Sequence, residues 1–164
     1  MTAEVVFRGK RILAVDDEPD VLALITEGLQ GIEVVTADDF EHAKKLIESE
    51  KFHLVLLDIM GVNGFELLKA CTARKLPAAM LTARAITIDS VNLALRLGAV
   101  SFLPKEQLTN IRELVGEILE RLEQGKSHWE KLFERLGPLF AEKFGIFWDR
   151  LENPNPPDPP IWYA

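Results

Sequence analysis

The sequence predicts a doubly wound α/β sandwich built on a five-stranded parallel sheet, and two observations carry that prediction. Short apolar runs alternate five times with helix-length amphipathic stretches between Arg11 and Gln124. The runs are apolar throughout, without the period-two alternation of a half-exposed strand, as suits strands covered on both faces. Strand followed by helix, five times over, implies right-handed crossovers and helices on both sides of one sheet.

Taken in order, the first run is Ile12-Leu13-Ala14-Val15, followed by a helix with Pro19 in its first turn and Val21, Leu22, Leu24, Ile25 and Leu29 as its apolar positions, stopping near Gly31. Val34-Val35 is the second run, and Asp38 or Asp39 caps a helix with Phe40, Ala43, Leu46 and Ile47 on one face. Leu54-Val55-Leu56-Leu57 precedes a helix marked by Phe65, Leu67, Leu68 and Cys71. Ala78-Ala79-Met80-Leu81 precedes one over Val91 to Leu97 that ends at Gly98. Ser101-Phe102-Leu103 precedes the last, from Leu108 to Leu122.

Composition limits the function. The 164 residues carry 19 Lys plus Arg against 26 Asp plus Glu, a net charge of -7, which argues against a dedicated nucleic-acid surface. A hydrophobic share of 48% with 27% charged is the mixture of a globular protein. No stretch approaches the ~18 apolar residues that span a bilayer, and the start lacks a signal peptide's apolar run, so a cytoplasmic protein without membrane insertion is expected. Cys71 stands alone and cannot form an internal disulfide. With His42, His53 and His128 scattered, no zinc spacing is recognisable, and Cys71 reads as a small core residue.

In an open α/β sheet, function gathers outside the carboxyl ends of the strands, near the point where strand order reverses. Those ends read Asp16-Asp17-Glu18, Asp58-Ile59-Met60, Thr82-Ala83-Arg84 and Lys105-Glu106. Crowded carboxylates need a cation to be tolerable. Magnesium fits, since it takes oxygen ligands and bridges to phosphate. With charge offset by the metal and Lys105, Asp58 has the makings of a carboxylate nucleophile for phosphorus, Thr82 of a hydrogen-bond donor to a phosphoryl oxygen, and Lys105 of a counter-charge. Each residue alone is weak evidence, since an Asp at a strand end usually caps a helix. The conjunction of four complementary strand ends is the signal. Rival chemistries lack their residues: there is no dinucleotide or Walker glycine pattern, Met60 stands where an aspartyl phosphohydrolase needs a second acid, and no histidine serves a protease triad.

The pattern resembles the response-regulator receiver domain of two-component signalling, of the chemotaxis type. The resemblance covers about residues 9 to 124 and rests on VDDEPD, LVLLDIM, GFELL, MLTA and LGAVSFLPK in that order. It implies a flavodoxin-like sheet with strand order 2-1-3-4-5. Asp58 is then the phosphoacceptor, with Asp16, Asp17 and the backbone carbonyl of Met60 organising Mg2+ beside it. Thr82 is the switch hydroxyl, Lys105 the phosphoryl-binding amine and Phe102 the switch aromatic. A histidine kinase or phosphotransfer protein is the implied donor, and the chain is no enzyme beyond assisting its own phosphorylation and dephosphorylation. Two departures stand out. Asp58 and Gly64 enclose five residues, about two fewer than the family usually has, and without its proline. Lys105 is followed by Glu106 where the family commonly has a proline in a cis peptide; a cis bond before Glu106 costs ~3 kcal/mol, so a trans peptide is expected, or a strained cis one held by the site.

Beyond the receiver lie an amphipathic stretch over 125–152 and a proline-rich tail over 153–164 that should be extended and polyproline-like. Eight of the thirteen aromatics follow Gly125. Residues 126–164 hold five basic and six acidic side chains, unlike a basic DNA-reading domain. Trp129, Phe133, Phe140, Phe144, Phe147 and Trp148 fall close to one helical stripe, which needs a covering surface: the receiver itself, a second copy in a homodimer, or another protein. These six are the expected partner surface. Gly137-Pro138 should kink the helix or divide it in two. An alternative to phosphoryl signalling is a phosphorylation-independent interaction module that works through this stretch.

Overall fold

The computed structural model describes residues 3–83, 87–126 and 128–144. Its sheet consists of β1 (Arg11–Val15), β2 (Glu33–Ala37), β3 (Leu54–Asp58), β4 (Ala78–Thr82) and β5 (Ser101–Pro104), all parallel, in the order β2-β1-β3-β4-β5. The expected alternation and strand order are both present. β3 and β4 are buried at every residue, as runs without alternation require. β2 departs from that reading: it exposes Glu33 and Thr36 and leaves Val34 and Val35 half-buried at one edge of the sheet, whereas β5 at the other edge, against which α7 packs, is buried throughout.

Around the sheet lie α1 (Ala3–Phe7), α2 (Pro19–Gly28), α3 (Phe40–Ser49), α4 (Gly64–Ala73), α5 (Ile88–Arg96), α6 (Ile111–Glu123) and α7 (Trp129–Phe144). α2 opens on Pro19, whose missing N–H would have had no intrahelical partner. Asp39 caps α3 by accepting the His42 backbone N–H at 2.7 Å, a contact worth about 1 kcal/mol. Thr87 and Ser90 cap α5 reciprocally, each side-chain oxygen accepting the other's backbone N–H at 3.1 Å. The last predicted receiver helix is divided: Leu108 lies in a 3-10 helix over Lys105–Asn110, and α6 begins at Ile111. α1 has no counterpart in the sequence reading. It packs on α6 by burying Val6 and Phe7, and the Arg112 guanidinium lies 5.0 Å from the centre of the Phe7 ring. The turn from β1 to β2 runs opposite to the connections from β3 to β5, so right-handed crossovers put α2 and α6 together and α3 beside α4.

α7 is one helix that runs through Pro138, and so the division at Gly137-Pro138 does not occur. One proline removes one hydrogen bond, and a sixteen-residue helix anchored at its start can sustain that loss. The anchor is extensive. The His128 backbone N–H donates to the Val100 carbonyl at 3.1 Å. Its ring sits between the Ser101 hydroxyl, 2.7 Å from Nδ1, and the Glu117 carboxylate, 3.2 Å from Nε2. Trp129 Nε1 donates to the Ala99 carbonyl at 2.7 Å, and its ring centre lies 6.2 Å from that of Phe102. Trp129 and Leu132 are buried.

Trp129 is therefore covered by the chain itself and is not part of an exposed partner surface. Phe133, Phe140 and Phe144 lie on α7, but their side chains, like Phe147, Trp148 and the proline-rich tail, lie outside the described residues.

Cys71 is buried in the core, and burial pushes its thiol up to about 12. Folding thus holds the proton on to higher pH, and the associated stability is lost as pH rises past the unfolded thiol's value toward 12. A thiol reagent at pH 8 should leave the native chain unmodified and label Cys71 fully in denaturant. Rapid labelling of the native chain would contradict this burial.

Candidate functional site at the carboxyl edge of the sheet

β1 and β3 are neighbours whose following connections leave in opposite directions, which opens a cleft above their carboxyl ends. Asp17, Glu18, Asp58, Ile59, Met60, Gly61, Thr82 and Lys105 are among the residues that line it. Asp58 ends β3, Thr82 ends β4 and Lys105 follows β5 directly. Thr82 pairs with Pro104, the residue before the lysine, so parallel register sets hydroxyl and amine at adjacent strand ends. Asp16, Asp17, Asp58, Thr82 and Lys105 are thus brought to one rim.

Lys105 is the centre of charge. Its Nζ lies 2.7 Å from Asp16 Oδ2, 3.0 Å from Asp58 Oδ1 and 3.5 Å from Glu18 Oε1. Burial works against its ammonium, but hydrogen bonds and charge from Asp16 and Asp58 outweigh it, and the pKa is pushed up to about 12. The lysine is a fixed cation at any physiological pH. Asp16 is fully buried, and burial raises its pKa against the opposing pull of Lys105. Its Oδ1 accepts the Glu18 backbone N–H at 2.9 Å, and its buried Oδ2 faces the Lys105 ammonium at 2.7 Å.

The acidic donor set at the end of β1 fits a cation. One oxygen each of Asp16, Asp17 and Glu18 lie within 4.8 Å of one another, and hard oxygen donors of this kind suit a divalent ion of the Mg2+ class. Among the described residues, the carboxylates of Asp16, Asp17, Glu18 and Asp58 share this rim with the ammonium of Lys105, so a cation relieves repulsion. Glu18 joins the cluster although the residue pattern had not singled it out. The signal was present in Asp16-Asp17-Glu18, but the turn that brings the third acid back to the lysine is visible only in three dimensions.

Beside Asp58, the shortened loop closes tightly. The Gly61 N–H donates to Asp58 Oδ2 at 3.1 Å, and the Gly64 N–H to the Ile59 carbonyl at 2.9 Å. Asn63 turns the chain through the left-handed region at φ 54°, where asparagine is better tolerated than most side chains. A Cβ on Gly64 would sit 2.1 Å from the Asp58 carbonyl oxygen. Gly64→Ala is accordingly expected to cost about 1–3 kcal/mol, measured by urea denaturation, because backbone and not a mobile side chain must give way. Met60 lines the cleft with its side chain largely in solvent. Phe102 is fully buried, paired across the sheet with Met80 and packed against Trp129. The peptide between Lys105 and Glu106 is trans, as are all others among the described residues. Arg84 lies outside them.

A parallel sheet in the order 2-1-3-4-5, with a lysine bridging aspartates at the carboxyl ends of β1 and β3, defines a receiver domain of two-component signalling. The chain belongs to that family: residues 12–119 match the response regulator receiver domain. Among curated proteins it is 41% identical over 102 residues to the alkaline phosphatase synthesis transcriptional regulatory protein PhoP of Bacillus subtilis, covering 58% of this chain and 42% of the relative. It is 33% identical over 122 residues to the DNA-binding response regulator MtrA of Mycolicibacterium smegmatis, covering 71% of this chain and 52% of that one. The chain thus spans about half the length of these relatives. Among solved structures, a CheY-like receiver domain protein from Methanospirillum hungatei superposes with a TM-score of 0.63 at 33% identity, over 70% of this chain and 97% of the other. No helix among the described residues is long and apolar enough to cross a membrane.

Proposed function

We propose that this receiver accepts a phosphoryl group on Asp58 from a phosphohistidine of a histidine kinase or phosphotransfer protein, and signals through the resulting change in conformation. The observation that carries the reading is Lys105 Nζ, held between Asp16 and Asp58 at the mouth of an open cleft. An Asp58 oxygen attacks phosphorus, forming the P–O bond of an acyl phosphate as the donor's P–N bond breaks and its imidazole leaves. Lys105 is placed to shift its contact from the Asp58 carboxylate to a phosphoryl oxygen. Thr82, at the adjacent strand end, has a hydroxyl to donate to another. Movement at Thr82 and Lys105 then bears on Phe102 through the paired strands β4 and β5.

Asp16, Asp17 and Asp58, with the Met60 backbone carbonyl, would hold Mg2+, and Glu18 extends the donor set. When bound, the ion supplies charge neutralisation for the incoming phosphoryl oxygens. The near-balanced charge over 126–164 favours a protein-contact output over DNA binding through this stretch. A second copy remains a candidate for the part of the aromatic stripe that follows Trp129.

The test is phosphorylation by acetyl phosphate with MgCl2, followed by intact mass. The expected result is one added phosphoryl group per chain, dependent on the metal. Failure of the wild-type chain to gain it under saturating donor and Mg2+ would overturn the reading.

A further inference from the structure

We infer that Gly61 is a positioning residue for the cation site, and that it acts through Asp17: the missing side chain at 61 makes the space into which the Asp17 carboxylate folds. The inference rests on the reading of the acidic rim as a divalent-cation site and adds to it a residue of the shortened loop.

A Cβ on Gly61 would fall 2.1 Å from Asp17 Oδ1, 2.3 Å from Cγ and 2.5 Å from Oδ2. The whole carboxylate, and not one edge of it, occupies the position a methyl group would take. Conformational freedom is not the reason for glycine, because the loop's left-handed turn falls at Asn63 and not at Gly61. Space is the reason. The same residue donates its N–H to Asp58 Oδ2 at 3.1 Å, so one short stretch of backbone fixes the acceptor on one side and admits the metal-site acid on the other.

Gly61 and Gly64 make an instructive contrast. At Gly64 a methyl group meets backbone, which cannot move without cost to the fold. At Gly61 it meets the end of an exposed, flexible side chain, which can rotate into solvent. Gly61→Ala should therefore leave the fold intact while moving Asp17 away from Asp16 and Glu18, whose oxygens it now approaches within 4.8 Å. Alanine also keeps the N–H that Asp58 accepts. The loss is confined to the cation.

The experiment is a calorimetric Mg2+ titration of the full chain as wild type, Gly61→Ala, Asp17→Asn and the double variant, with thermal unfolding of each. Gly61→Ala is expected to weaken Mg2+ binding by about tenfold, in the range of a lost ligand-orienting contact. Its thermal midpoint without metal should match the wild type, and in the Asp17→Asn background the glycine change should have no further effect. Wild-type affinity in Gly61→Ala, losses that multiply in the double variant, or a lowered midpoint would each overturn the inference. A wild-type chain that binds no Mg2+ would instead remove the cation-site reading on which it rests, a result distinguishable from normal binding by both wild type and Gly61→Ala.

Discussion

Asp58→Asn should reduce phosphoryl uptake from one group per chain to none while leaving the fold in place. The amide has the shape of the carboxylate but no anionic oxygen to attack phosphorus. Stability is the informative control. Asp58 pairs with Lys105 at 3.0 Å, and its loss removes that attraction, yet its charge also opposes ionisation of buried Asp16. These opposing effects should keep the variant within about 1 kcal/mol of the wild type in urea denaturation, because removing one of four crowded carboxylates relieves repulsion as it breaks the ion pair. Loss of uptake with a native unfolding curve assigns Asp58 to chemistry. An Asp58→Asn chain that still gains a phosphoryl group from acetyl phosphate would move the acceptor elsewhere.

Trp129→Ala should give a large loss of stability, about 3–5 kcal/mol in urea denaturation. The indole is buried, donates to the Ala99 carbonyl and packs on Phe102, so truncation opens a cavity and orphans an acceptor together. Met60→Ala, at a side chain that is 85% exposed, is the matched control and should change little. A Trp129→Ala chain as stable as the wild type would mean that α7 does not dock in solution as described. Because Phe102 lies on β5, which leads directly into Lys105, the same variant should loosen the strand that carries the lysine.

The site was more legible in the sequence than its surroundings. Asp58, Thr82 and Lys105 announce themselves because a parallel sheet puts every strand's carboxyl end on one side, so linear order alone predicts convergence. Gly61 was invisible for the opposite reason: its role depends on a neighbour from another loop. The aromatic stripe of α7 shows a third case. Helical spacing states that a face needs cover, but not whether the cover is the same chain, and that depended on His128, a residue whose partners Ser101 and Glu117 lie 27 and 11 positions away. α1 was missed because five residues, two of them β-branched, carry little helical signal; packing on α6 decides it.

The docking of α7 on β5 also bears on how the protein behaves in a crowded solution. β5 is an end strand, and an end strand with free backbone groups is a template for a strand from another molecule. Here α7 packs on that end, with the Val100 carbonyl beside the strand already taken by His128. The opposite end, β2, presents Glu33 bound to Arg11, a charged pair that disfavours an incoming apolar strand. Release of α7 would therefore uncover more than an aromatic pocket. It would also free the Ala99 and Val100 carbonyls at the start of the end strand, which Trp129 and His128 now occupy.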